Sequence, residues 1–393
     1  SAPGIAAPPS GAIRQAPFPP VARFTLGNGL RVAIVTSHAL PVVHARLLIR
    51  AGSGDGPTAG VAALTGGMLR EGGTRARPRA DLGRRIETIG AELSVVTTSD
   101  ATVLAMPLLK DQLGEGLALL SEVVREPRFD EGELRKLKVR ATDTIEDEGR
   151  TRGEWAAMHV VFRELFPEKS AYHTLGTLPS HIDKVDGAAV RAFHRRFYVP
   201  NGATLVLAGD LDEAEAKSQA TRHFGAWLGG ERPNVERAAP RLPPKLRVVV
   251  LHRPRSAQSD IYVAVLGPAR TSEGWASMRV ANQALGGDTT ARLFVDLSEQ
   301  RTVARNTRAQ VFELAKGEQP VLAYAESETA KTSQAASGLL ENLERMASSP
   351  PTSTETATAC AHIKRDFAMQ IETLESVADM VVRADELGLP DGY

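Results

Sequence analysis

The chain has 393 residues, 42% hydrophobic and 24% charged, with 47 basic and 47 acidic side chains that cancel. That balance excludes a general nucleic-acid binder, which needs a basic footprint, and no apolar run is long enough to cross a bilayer. A lone cysteine, Cys360, excludes an internal disulfide, and the length points to two domains.

Residues 1–20 are rich in Pro, Ala and Gly without apolar periodicity and read as a disordered lead-in. They lack the basic start and apolar centre of a signal peptide. Gly27-Asn28-Gly29 is a turn signal, and Leu30–Val35 and Val42–Ile49 read as two strands forming a hairpin-like opening. A helix is expected over Thr58–Arg70 from the spacing of Val61, Leu64 and Met68. Leu82–Ile89 reads as a helix, and Glu92–Thr98 and Thr102–Pro107 as a strand pair joined at Ser99-Asp100. Helices follow at Asp111–Val124, Glu131–Glu148, Trp155–Phe166 and Ala188–Phe197. Ala203–Ala208 is a buried strand, and Glu213–Phe224 a helix.

Residues 229–245, with Pro233, Pro240, Pro243 and Pro244, read as a linker between a first unit, 21–228, and a second, 246–393. The second begins with strands Leu246–Leu251 and Asp260–Leu266. Helices are expected at Trp275–Leu285 and Thr290–Leu297, a strand at Val321–Glu326, and helices at Thr332–Ala347 and over most of Glu355–Val382. This order echoes the first unit, as an internal repeat would. The second unit has no counterpart to Ala203–Ala208 and reads as cut short.

Gly66 and Gly67 sit inside the first predicted helix, where each costs about 1 kcal/mol relative to alanine. Such a conflict between pattern and propensity marks a functional position, present or former. Around it stand Ala51-Gly52-Ser53, Gly60-Val61-Ala62, Met68 and Gly73-Thr74, with Phe197-Tyr198-Val199-Pro200-Asn201 and Gly209-Asp210 far downstream. These residues resemble the frame of the insulinase/pitrilysin-type zinc peptidases, a family that includes the mitochondrial processing peptidase. In that family H-x-x-E-H supplies two zinc-binding imidazoles and a general base. Here the corresponding positions hold Ala63, Gly66 and Gly67.

The resemblance implies an α+β fold of two homologous domains, each a largely antiparallel sheet with helices on one face, of the processing-peptidase-like metallohydrolase type. It implies a catalytically inactive member with no metal ligands, hence no zinc and no other cofactor. The third ligand position falls near Thr144-Ile145; Glu146 and Glu148 beside it read as a solvated helix face. The Arg and Tyr that heterodimeric members extend toward the partner's zinc site correspond to Ser298 and Arg305. The edge strand that receives a peptide by strand addition corresponds to Leu93, Ser94, Val95, Val96 and Thr97.

The expected function is a non-catalytic subunit supporting an active zinc-peptidase relative; the alternative is a stand-alone pseudoenzyme in peptide binding or assembly. Expected partners are that relative or a second copy, and peptides. A periplasmic or exported location is favoured over others. None of the nine histidines shows metal-ligand spacing. Gly54-Asp55-Gly56-Pro57-Thr58-Ala59 imitates a dinucleotide loop, but Pro57 and the strand order that follows speak against one. The arginines from Arg70 to Arg85 read as a solvated cluster, with a docking patch for an acidic partner as the alternative.

Overall fold

The structure is a computed structural model that describes residues 17–392, except 169, 171, 174–176 and 236–238. Most of the lead-in therefore lies outside the described residues. Within the rest of it, Phe18 packs on the first sheet and against Phe367.

The first unit is a six-stranded sheet: β1 (Ala22–Thr25), β2 (Arg31–Thr36), β3 (Val42–Ile49), β4 (Ser94–Thr97), β5 (Thr102–Leu109) and β6 (Ala203–Gly209). Their order is β1-β2-β6-β3-β5-β4, and only the β2–β6 pair is parallel. The hairpin-like opening is thus corrected: the tight turn joins β1 to β2, while β6 is inserted between β2 and β3. Gly29, at φ 89, makes that turn, and the Asn28 side chain donates to the carbonyls of Phe224 and Trp227. All seven residues of β6 are buried, as expected of a strand flanked on both sides and covered on both faces.

Among the described residues this unit has the helices α1 (Val61–Glu71), α2 (Arg79–Thr88), α3 (Leu113–Arg125), α4 (Glu131–Thr151), α5 (Gly153–Leu165), α6 (Pro179–Asp183), α7 (Gly187–Phe197) and α8 (Glu213–Phe224). Val61, Leu64, Met68, Leu117, Leu120, Val190, Phe193 and Phe224 form the main core against one face of the sheet. The short α6 had no signal beyond Pro179 at its start.

The second unit has the sheet order β7-β9-β8, all antiparallel, from β7 (Gln258–Gly267), β8 (Asn306–Val311) and β9 (Gln319–Glu328). Its helices are α9 (Trp275–Gly286), α10 (Thr332–Ser348), α11 (Ser353–Gln370) and α12 (Leu374–Glu386), with a π-helical turn at Phe294–Gln300. Leu246–Leu251 forms no strand and is exposed, which corrects that expectation.

The units exchange helices. Val377, Ala378, Val381 and Val382 of α12 cover the second face of the first sheet, on Ala33, Val35, Leu48, Val206 and Ala208. In return α5 lies on the second sheet, where Phe162 meets Phe312 edge-on at 4.5 Å. Arg308 pairs with Glu154 of α5, donates to Tyr262 Oη at 2.9 Å and stacks 3.9 Å over Tyr324. The helices therefore do not all lie on one face of the first sheet.

Candidate functional site

The expected motif helix exists as α1, reached from β3 through a short turn. Gly52 in that turn admits no side chain, since a Cβ there stands 2.4 Å from the Asp100 amide nitrogen. The Asp55 carboxylate accepts the Gly52 N–H at 2.8 Å and holds the turn closed. Gly60, at φ 87, starts the helix, and Thr65 donates to the Val61 carbonyl at 2.7 Å.

Ala63, Gly66 and Gly67 share one side of α1 by helical spacing. Ala63 is exposed, Gly66 buried and Gly67 half-buried. Gly66 faces β4: a Cβ there meets Thr97 Oγ1 at 2.5 Å and Val95 at 3.5 Å. Gly67 faces α4, where a Cβ meets the Leu137 methyl at 2.6 Å. The edge strand thus closes onto the helix where a metal-binding motif needs space for a carboxylate and an imidazole. These positions offer no donor and do not fit a zinc ion, which takes three protein ligands at a catalytic site.

On α4, Thr144 donates to its own helix at Arg140 O, 2.8 Å away. Ile145 packs into the core, Glu146 is exposed, and Glu148 is ion-paired with Arg152 at 2.8 Å. Among the described residues, no group of three or more His, Cys, Asp or Glu is placed to hold a metal. His194 is packed between Phe129 and Tyr198, and burial pushes its pKa down to about 4 although its Nε2 contacts the Val124 carbonyl at 2.8 Å. The Ser298 hydroxyl is buried in the π-helical turn and has no hydrogen-bond partner among the described residues. Arg305 is exposed just before β8 and pairs with Glu328 at 3.4 Å.

The peptide-edge residues fall into two sets. Leu93, Val95 and Thr97 point to the core and α1; Ser94 and Val96 point to the opposite face, where Val96 is 58% exposed. β4 ends the sheet order, so its outer edge is unpaired among the described residues. Beside it a cleft of about 430 Å³ runs between the sheet and α12, lined by Ser94, Val96, Ala105 and Val382 with Arg46 and Asp379. Arg46 is buried mid-strand and reaches α12, contacting Glu375 at 2.9 Å and Asp379 at 2.8 Å. Asp385, also buried, accepts from Arg23 at 2.9 Å and Arg50 at 3.4 Å. Sequence reading missed this wall, although an arginine inside the apolar run of β3 was a usable signal.

Two sheets, exchanged helices and a motif helix without donors at Ala63, Gly66 and Gly67 resemble a metallopeptidase scaffold, with no metal-binding group among the described residues. A model described as insulinase (peptidase family M16) matches residues 31–161, and one described as peptidase M16 inactive domain matches 184–362. A Mycobacterium leprae protein described as an uncharacterized zinc protease is 27% identical over 298 residues, spanning 72% of this chain and 64% of that protein. The processing-peptidase beta subunit of Blastocladiella emersonii mitochondria is 27% identical over 221 residues, spanning 55% of this chain and 46% of that protein. The crystal structure of a peptidase M16 inactive domain from Pseudomonas fluorescens superposes with a TM-score of 0.82 at 22% identity, covering 94% of this chain and 88% of that one. The chain belongs to the insulinase-type M16 peptidase family. It spans about two thirds of the length of the mycobacterial relative. No helix among the described residues is long and apolar enough to cross a membrane.

Proposed function

We propose that this chain is the non-catalytic subunit of a two-chain zinc peptidase: it shapes part of a substrate chamber, binds extended peptide along β4, and leaves hydrolysis to a partner carrying H-x-x-E-H. The carrying observation is the contrast within one site. The three motif positions, Ala63, Gly66 and Gly67, carry no donor, and Gly66 is closed against Thr97, while the outer edge of β4 is unpaired among the described residues. An unpaired edge offers backbone donors and acceptors in register for an extended peptide, and Ser94 and Val96 supply one face of side-chain contact.

The test is reconstitution. This chain is mixed with an H-x-x-E-H relative from the same organism, and cleavage of a quenched peptide library is measured for each chain and for the mixture. The expected result is no cleavage and no stoichiometric zinc for this chain alone, and cleavage by the mixture above that of the partner alone. Chelator-sensitive cleavage by the isolated chain overturns the reading. The stand-alone alternative gains support if peptide binds but no relative associates.

A further inference from the structure

The basic stretch Arg70–Arg85 is largely neutralised by ion pairs. Arg77 pairs with Glu122, Arg79 with Glu133 at 2.8 Å, Arg84 with Asp81 and Arg85 with Glu115. A different set of cations is left over. Arg75, Arg125, Arg195, Arg196 and Arg222 pair with no carboxylate among the described residues. Four of them are exposed and Arg125 is half-buried. The backbone brings all five to one end of the first unit, where α3, α7 and α8 finish. There His194 Nε2 contacts the Val124 carbonyl at 2.8 Å, Ser121 Oγ donates to the His223 carbonyl at 2.6 Å, and the Arg75 N–H donates to the Glu126 carbonyl at 2.9 Å.

Arginine at a helix C-terminus is ordinary, because the macrodipole leaves about half a negative charge there. Three such ends and the exposed Glu126 offset about 2.5 of the five positive charges. In a chain whose formal charges cancel, the remainder is a local segregation of sign. An apolar side chain stands in the same place. Leu228 is 89% exposed, and its turn is anchored. Asn28 donates to the carbonyls of Phe224 and Trp227 at 2.8 and 3.1 Å, and Arg125 donates to the Ala226 carbonyl at 3.2 Å. Trp227 is buried beside Phe224, ring centroids 6.4 Å apart. The fold thus holds Leu228 out beside the arginines instead of laying it on neighbouring surface.

We propose that this end of the first unit docks on an anionic bilayer surface, with the arginines at the level of the lipid phosphates and Leu228 in the acyl boundary. Guanidinium groups match phosphate oxygens in pairs. A fluid array of headgroups adapts to cations on separate segments, so each arginine contributes about fivefold to binding. The leucine then anchors what charge attraction assembles. An acidic protein would use the arginines but has no need of an apolar side chain held in water among them. This inference does not rest on the subunit reading above.

Vesicle flotation of the whole chain tests it, with phosphatidylcholine alone or mixed with phosphatidylglycerol, at low and at physiological salt. The expected result is binding to the mixed vesicles alone, weaker at the higher salt. Arg195→Gln with Arg196→Gln lowers that binding about 25-fold, and Leu228→Ser lowers it without changing the salt dependence. Arg84→Gln with Arg150→Gln removes the same charge from ion-paired, exposed sites and changes binding less than about twofold. Circular dichroism checks that each variant is folded, and Arg75→Gln with Arg222→Gln replaces the first pair if it is not. Absence of binding to the mixed vesicles, or an equal loss from patch and control pairs, overturns the proposal. So does unchanged binding by Leu228→Ser; binding to immobilised polyglutamate as tight as to vesicles then assigns the surface to an acidic protein.

Discussion

Gly66 and Gly67 are adjacent glycines in one helix with opposite expected responses to a methyl group. Alanine gains about 1 kcal/mol of helix propensity at either site. At Gly67 the obstacle is the far end of Leu137, which rotates away, so Gly67→Ala is expected to stabilise by about 0.5 kcal/mol. At Gly66 the obstacle is Thr97 Oγ1, fixed on a strand beside Thr102 at 3.3 Å, and overpacking costs about 1–3 kcal/mol. Gly66→Ala is therefore expected to destabilise by about 1 kcal/mol, and urea denaturation of the two single variants checks the sign of each. The sequence showed the missing donors at Ala63, Gly66 and Gly67, because absence of a side chain is legible without coordinates. It did not show that Thr97 had closed the space, because that contact joins residues distant in the chain. A second residue-scale expectation concerns His194. Its pKa is about 4 folded against 6.5 unfolded, so neutral burial stabilises fully above 6.5 and is lost as pH falls toward 4. The loss is about 3 kcal/mol at most. Urea midpoints measured from pH 7 to pH 4 should fall steeply, and less steeply in His194→Gln; equal slopes would refute this source.

At the scale of elements, α12 depends on charges as well as on its apolar stripe. Arg46 is 4% exposed, whereas its partners Glu375 and Asp379 are 57% and 58% exposed. Removing the two acids leaves a buried guanidinium uncompensated, at about 3–5 kcal/mol. Removing the arginine leaves two solvated carboxylates, at far lower cost. Glu375→Gln with Asp379→Asn is thus expected to loosen α12 more than Arg46→Met does, seen as faster limited proteolysis around residues 371–373. Equal rates would show that the pairs do not hold the helix. Element by element, periodic helices such as α3 and the β4–β5 pair were legible, since their apolar spacing is local. β8 was not: Asn306–Val311 is mostly polar and owes its form to pairing with β9. Leu246–Leu251 failed in the other direction, because a strand-like composition gives no strand without a neighbour to bond. The insertion of β6 between β2 and β3 is a long-range pairing that chain order conceals.

For the whole molecule, the exchange of α5 and α12 makes the sequence boundary near residues 229–245 different from the packing boundary. Cleavage after Lys245 is expected to leave both pieces together on gel filtration and to preserve a single unfolding transition, because each sheet needs the other unit's helix. Separation of the pieces at neutral pH would refute this. Association with an H-x-x-E-H relative belongs to the same scale, and light scattering of the mixture should show a mass above either chain alone.

The helix exchange also has a consequence in time. A ribosome finishes β6 at Gly209 well before it reaches Val377–Val382. At about 5–20 residues per second, the nascent first unit waits roughly ten to thirty seconds with Ala33, Val35, Leu48, Val206 and Ala208 bare to the cytosol. During that interval its sheet presents a flat apolar face that a chaperone would recognise. Slowed translation between codons 210 and 376 should therefore raise aggregation of this chain, whereas supplying the α12 segment as a separate peptide during synthesis should lower it.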